Sequence, residues 1–117
     1  MSLKRDQRGS VLPVVAGTTL VLLGFASFGI DVSYLYVLQN QLQVSADAAA
    51  LSAIRELSSA TAARATARDF AAKNMPANAH GNVLTDADVV LGKWNQAARS
   101  FAAGATPYDA VQITTRR

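Results

Sequence analysis

The sequence predicts an α+β protein: a long N-terminal α-helix, transmembrane in its first half and amphipathic beyond it, followed by a small antiparallel β-rich tail. Three observations carry this. The run Ser10–Ile30 contains no charged residue, and about 20 such residues in a helix span the roughly 30 Å hydrocarbon core of a bilayer. No glycine or proline occurs from Val32 to Met75, and alanine, the strongest helix former, dominates Ala46–Ala72. After Pro76, short runs rich in β-branched and aromatic residues alternate with turn residues.

Residues 1–9, MSLKRDQRG, form a basic leader in which Lys4, Arg5 and Arg8 face only Asp6. By the positive-inside rule the leader stays cytoplasmic and the chain beyond the span lies outside. Residues 10–31 are the transmembrane helix. The apolar run exceeds the usual length of a signal-peptide core, and no A-x-A-like site closes it, so a retained span is expected rather than cleaved secretion. Pro13 falls in the first helical turn, where proline is tolerated.

Residues 32–75 are expected to be an amphipathic, alanine-rich helix. Leu35, Leu38, Leu42, Ala46, Ala49, Ala53 and Leu57 recur at steps of three or four, with Gln39, Gln43, Asp47, Arg55 and Glu56 between them. This is the expected assembly helix. A kink near Gly29 or a break at Ser58-Ser59 fits the composition, and Asn74-Met75-Pro76 ends the helix, because the residue before proline avoids helical geometry. An alanine strip with few polar neighbours would leave a large apolar surface on a free rod, so packing against a second copy or a related subunit is expected.

A loop over 76–87 leads to a β region over 88–117. Its strands are expected at Asp88–Trp94, Ser100–Ala102 and Ala110–Thr115, with Trp94 and Phe101 paired across a hairpin. Thr85, Asp86 and Asp88 suit a cap at a turn or helix start. A tail of this size cannot bury a core alone and needs the helix or neighbouring copies.

The inventory for chemistry is poor. With 11 Lys+Arg against 8 Asp+Glu the net charge is +3, without a basic patch suited to nucleic acid. There is no cysteine, so neither disulfides nor thiolate metal sites can form, and the single histidine, His80, has no ligand cluster around it in sequence. No glycine-rich phosphate loop occurs. No catalytic, cofactor-binding or metal-binding residue is therefore expected, and the chain is not read as an enzyme.

Gly17, Gly24 and Asp31 are spaced by sevens and share one helix face, drifting by about 20° per heptad. Small residues on one face let membrane helices approach closely, which makes this stripe a candidate helix-packing seam. The alternative is that glycine is simply frequent in membrane helices and that Asp31 marks the water boundary.

Four stretches in order resemble the N-terminal region of TadG-like proteins, relatives of the TadE and TadF pseudopilins of tight-adherence (Tad, Flp) pilus systems. They are the basic Arg8-Gly9 leader, Gly29-Ile30-Asp31-Val32, the string Leu42-Gln43-Val44-Ser45-Ala46-Asp47-Ala48-Ala49-Ala50-Leu51-Ser52-Ala53, and the tail Val90–Asn95 with Asp109–Thr114. The resemblance implies a pilin-like fold and a structural role in Flp pilus assembly, with the lipid bilayer, other pilin-like subunits or further copies of the chain, and the Tad machinery as partners. It leaves open a minor assembly subunit, the main repeating subunit of a filament, or the membrane tether of a surface-binding module. TadG-like proteins often continue past the matched region, so the chain is either a short member or part of something longer. Type IV pilin-like proteins are similar in a leader ending in glycine that is cleaved there, which points to Gly9-Ser10. Their glutamate five residues further on is Val14 here.

Overall fold

The computed structural model describes Gly9 and residues 11–117; the leader before Gly9 and Ser10, and with it the Gly9-Ser10 junction, lie outside the described residues. Helix α1 runs from Val11 to Ala53, and the chain divides at Val37 and Leu38 into two units.

In the first unit, every residue from Val11 to Val37 is exposed. Helix persists there although β-branched residues and glycines are common. Three of its hydroxyls are satisfied internally: Thr18 Oγ1 donates to the Val14 carbonyl (2.9 Å), Thr19 Oγ1 to Val15 (2.8 Å) and Ser33 Oγ to Gly29 (2.8 Å). Pro13 is the third residue of α1, where its missing N–H would have had no helical partner.

The stretch 32–75, expected as one helix or as a helix broken at Ser58-Ser59, is two helices separated at that break. Helix α1 tightens into a 3₁₀ turn at Ile54–Glu56, the chain reverses at Leu57–Ser59, and α2 spans Ala60–Asn74. The reversal needs neither glycine nor proline. Ser59 leaves helical geometry and its Oγ accepts from the Ala62 N–H at 3.3 Å, capping α2. The reward is a seam of small residues. Ala63, Ala67 and Ala71 of α2 are buried in one cluster with Ala49 and Ala53 of α1, and Ser45 Oγ donates across to the Ala71 carbonyl at 3.3 Å. Each alanine methyl withdrawn from water contributes about 0.8 kcal/mol, and small side chains shorten the interaxial distance. Leu38, Leu42 and Leu57 pack on the margin.

The expected 76–87 loop contains a short helix, α3 (Ala77–His80), ended by Gly81 at φ 75°, and the buried pair Val83 and Leu84. Thr85 and Asp88 then form a capping box around a 3₁₀ turn at Asp86–Asp88, as their sequence suggested. Three antiparallel strands follow, β1 (Val89–Asn95), β2 (Ser100–Ala103) and β3 (Ala110–Ile113), in the order β2-β1-β3. The hairpin register sets Trp94 opposite Phe101, the expected pair, and β3 returns to the far edge of β1 with Leu91 opposite Val111. Val89 and Leu91 point inward to meet Met75, Val83, Leu84 and the alanine seam in one core. The long-helix-plus-small-sheet α+β architecture is thus the one the sequence predicts.

The C-terminal segment closes the unit. Thr115 Oγ1 donates to the Leu42 carbonyl (3.0 Å), and the Arg116 N–H donates to the Val83 carbonyl (3.1 Å). The Arg116 guanidinium pairs with Asp88, whose side chain is only 3% exposed. Asp88 also accepts from Thr85 Oγ1 (2.6 Å) and the Thr85 N–H (3.0 Å). These Thr85 hydrogen bonds, then the arginine, hold its carboxyl below the ordinary value.

Candidate functional site

The distinctive chemistry of this chain is an apolar helix with no buried residue from Val11 to Val37. Val11–Ile30 carries no charge, and its side chains, including Leu12, Leu20, Phe25 and Phe28, stay open. A soluble helix of this composition would bury one face. Here the stretch is apolar on all sides, the pattern of a helix solvated by lipid rather than water. Because Thr18 and Thr19 close their hydrogen bonds on their own helix, hydrocarbon around them would leave neither of these two donors unsatisfied. Among the described residues, one helix is thus long and apolar enough to cross a membrane.

The residues singled out in the sequence fall into two groups. Gly17 and Gly24 of the expected packing seam lie in the first unit, and a Cβ added at either would meet nothing within 4 Å; Asp31, exposed, follows on the same face just after the uncharged run. Gly9 is likewise exposed. Of the expected assembly helix, Leu35 is exposed. Leu38, Leu42, Ala46 and Leu57 are half-buried, and Ala49 and Ala53 are fully buried inside the second unit. The alanine strip is therefore largely consumed by α2 of the same chain. What remains open on the second unit is a different set of apolar side chains, which the helical pattern of leucines and alanines did not reveal: Val44 and Leu51 on α1, Ile54 in the 3₁₀ turn, Phe70 on α2 and Trp94 on β1, each at least 41% exposed. Leu51 and Phe70 line a groove of about 440 Å³ with Ala48, Thr66, Arg55 and Glu56. The signal was present as Val44-x6-Leu51 on the face opposite Ser45 and Ala49, but without α2 in place no face could be preferred.

His80 is half-buried, with Nδ1 lacking a hydrogen-bond partner, and among the described residues no group of three His, Cys, Asp or Glu side chains could hold a metal ion. Two ion pairs lie on the surface of α2, Arg68 with Asp86 (2.9 Å) and Lys73 with Asp69 (2.6 Å), the Lys73 ammonium also lying 5.0 Å from the Phe70 ring centroid. Such exposed pairs contribute at most about 1 kcal/mol each and decorate α2 rather than build a site.

Comparison with protein families gives two matches that together run from residue 9 to the C-terminal Arg117. The Tad family model, described as "Putative Flp pilus-assembly TadE/G-like", matches residues 9–69, and the Tad_C model, "Putative Tad-like Flp pilus-assembly", matches residues 48–117. The two overlap over residues 48–69: the first covers α1 and most of α2, the second the end of α1, all of α2 and the sheet. Searches of curated proteins and of solved structures return no match. These are families of pilus assembly and not of enzymes, and the chain belongs to the Tad family of TadE/G-like Flp pilus-assembly proteins.

Proposed function

We propose that this chain is a membrane-anchored, pilin-like or pseudopilin-like structural subunit of a Tad pilus system that acts by helix packing rather than by chemistry. The observation that carries the reading is the fully open Val11–Ile30 helix in a chain of a pilus-assembly family. A helix apolar on every face is soluble only in lipid or among other helices, so it serves both states of such a subunit: held in the bilayer before assembly, packed against neighbours afterwards. The basic leader in the sequence favours a cytoplasmic N-terminus and an extracytoplasmic second unit.

The open positions at Gly17 and Gly24, with Asp31 on the same face, supply the seam for a neighbouring transmembrane helix. Leu35 extends the apolar surface beyond it. Leu38, Leu42, Ala46, Ala49, Ala53 and Leu57 support assembly indirectly, by fixing α2 and the sheet to the second half of α1. The partners are the bilayer, further copies of the chain or related pilin-like subunits, and the Tad assembly machinery. The open Val44, Leu51 and Phe70 surface also favours a subunit that meets others outside the membrane.

Intact-mass measurement of the protein recovered separately from membranes and from material sheared off the cell surface tests this. Confinement to the membrane fraction, with association lost on replacing Gly17 and Gly24 by leucine, is the expected result for an assembly subunit. Abundant chain in the sheared fraction would make it the repeating subunit of a filament. The mass itself decides whether Gly9-Ser10 is cut. Membrane confinement with self-association unchanged by both leucines would leave only the tether.

A further inference from the structure

Tyr34 and Tyr36 stand just past the uncharged run, 59% and 74% exposed, and neither hydroxyl has a protein partner among the described residues. Two positions apart on a helix, they point to nearly opposite sides, about 200° around the axis. No single neighbouring helix could cover both. A layer that surrounds the helix could, and the depth of these residues fits one. The twenty residues Val11–Ile30 are about 30 Å long, the thickness of the hydrocarbon core. The full bilayer is about 40–45 Å thick, which leaves a polar layer of roughly 5–7 Å on each side. The Tyr34 Cα lies about 6 Å beyond Ile30 and that of Tyr36 about 9 Å, at 1.5 Å per residue. Helical side chains lean toward the N-terminus, so both rings are carried back toward the bilayer and into that layer.

We infer that Tyr34 and Tyr36 form a two-sided collar that binds the phospholipid headgroup and glycerol layer and sets how far α1 sits in the membrane. A phenol suits this layer chemically: the ring replaces apolar contacts at the acyl boundary while the hydroxyl hydrogen-bonds to ester or phosphate oxygens and water. Asp31 and Ser33, between the apolar run and the collar, fall where water and headgroups first become available. The collar continues the lipid-facing surface of Val11–Ile30 without a gap and rests on the membrane-spanning reading of that helix.

The full chain is suited to a depth measurement, because Trp94 is its single tryptophan and it has no cysteine. Tyr34→Trp, Tyr36→Trp and Phe25→Trp are each made with Trp94→Phe and reconstituted in phosphatidylcholine vesicles brominated at chosen acyl depths. Fluorescence at positions 34 and 36 is expected to be quenched most by bromines nearest the glycerol, and at position 25 by bromines deeper in the chain. In a second series, single cysteines over 28–38 map where an impermeant maleimide begins to react. Tyr34→Ala with Tyr36→Ala should shift that boundary by about one helical turn, roughly 5 Å. Quenching at position 25 but at neither 34 nor 36 would overturn the collar and leave the span intact. Quenching at 34 and 36 that appears only when the chain is diluted to single copies would assign the tyrosines to a second helix instead. Failure of the chain to float with vesicles, with no quenching at any position, would overturn the span and the collar together.

Discussion

Gly92 sits in the middle of β1, buried, with the Phe101 ring laid over it. A Cβ built there would lie 2.7 Å from Phe101 Cζ and collide with the Ala102 carbonyl, so the absence of a side chain is what lets β1 and β2 close. Gly92→Ala should destabilise the second unit by about 1–3 kcal/mol, the usual cost of overpacking, read as a lower urea midpoint of the full chain in detergent. Gly104→Ala provides a comparison of another kind: its Cβ meets nothing within 4 Å, and only its φ of 74° opposes the change. Asp88 makes a prediction of different form. Its carboxyl is held below the ordinary 3.8 by the Thr85 hydroxyl, the Thr85 N–H and Arg116. A depressed carboxylate contributes stability that is fully present above the unfolded value and is lost as pH falls through the folded one. The melting temperature of the wild type should therefore decline as pH drops below about 4. Asp88→Asn, less stable at neutral pH because Arg116 loses its ion pair, should lose that part of the acid dependence.

The helical hairpin shows where a sequence pattern runs out. At about 100° per residue, Ala49, Ala53, Ala63, Ala67 and Ala71 would fall within about 80° of one another on a single continuous helix. One amphipathic rod and two helices packed face to face therefore write the same periodicity. Only Ser58-Ser59 distinguished them, as a capping signal without a glycine or proline to reinforce it. The sheet was legible for the opposite reason. Its turns lie at residues 96–99 and around Gly104–Pro107, and Trp94 and Phe101 fall at hairpin spacing, so local chemistry sufficed. The hairpin seam predicts a contrast between two neighbouring alanines. Ala67→Leu forces three carbons into a position with no exposed surface and should cost about 1–3 kcal/mol. Ala65→Leu, on the exposed side of α2, should stay within about 0.5 kcal/mol of wild type. Urea unfolding of both variants, followed by circular dichroism, measures the difference. Equal losses would mean that α2 does not dock on α1 through this face.

Solvation divides the chain more sharply than folding does. From Leu38 onward the protein has an interior: an alanine seam, the cluster of Met75, Val83, Leu84, Val89 and Leu91, and a C-terminal segment tied back to Leu42 and Val83. Among the described residues before Leu38 none is buried, so that helix has no interior of its own to rest on. The uncharged run made this legible in the sequence. The groove at Leu51 and Phe70 was not, since it exists only once α2 has folded back. The division implies that membrane attachment and folding can be broken separately. Leu22→Arg places a charge at the centre of the apolar run and should cost about 2.5–3.5 kcal/mol of insertion free energy. Leu51→Arg places the same charge on an exposed position of the second unit, where no hydrocarbon has to be left. Fractionation of cells expressing each variant should find the first depleted from membranes and the second retained, with the second unit equally resistant to protease in both. Depletion of both would mean that the second unit, rather than Val11–Ile30, supplies the membrane affinity. Retention of both would remove the physical basis for reading α1 as a span, because no helix of the second unit is apolar on every face.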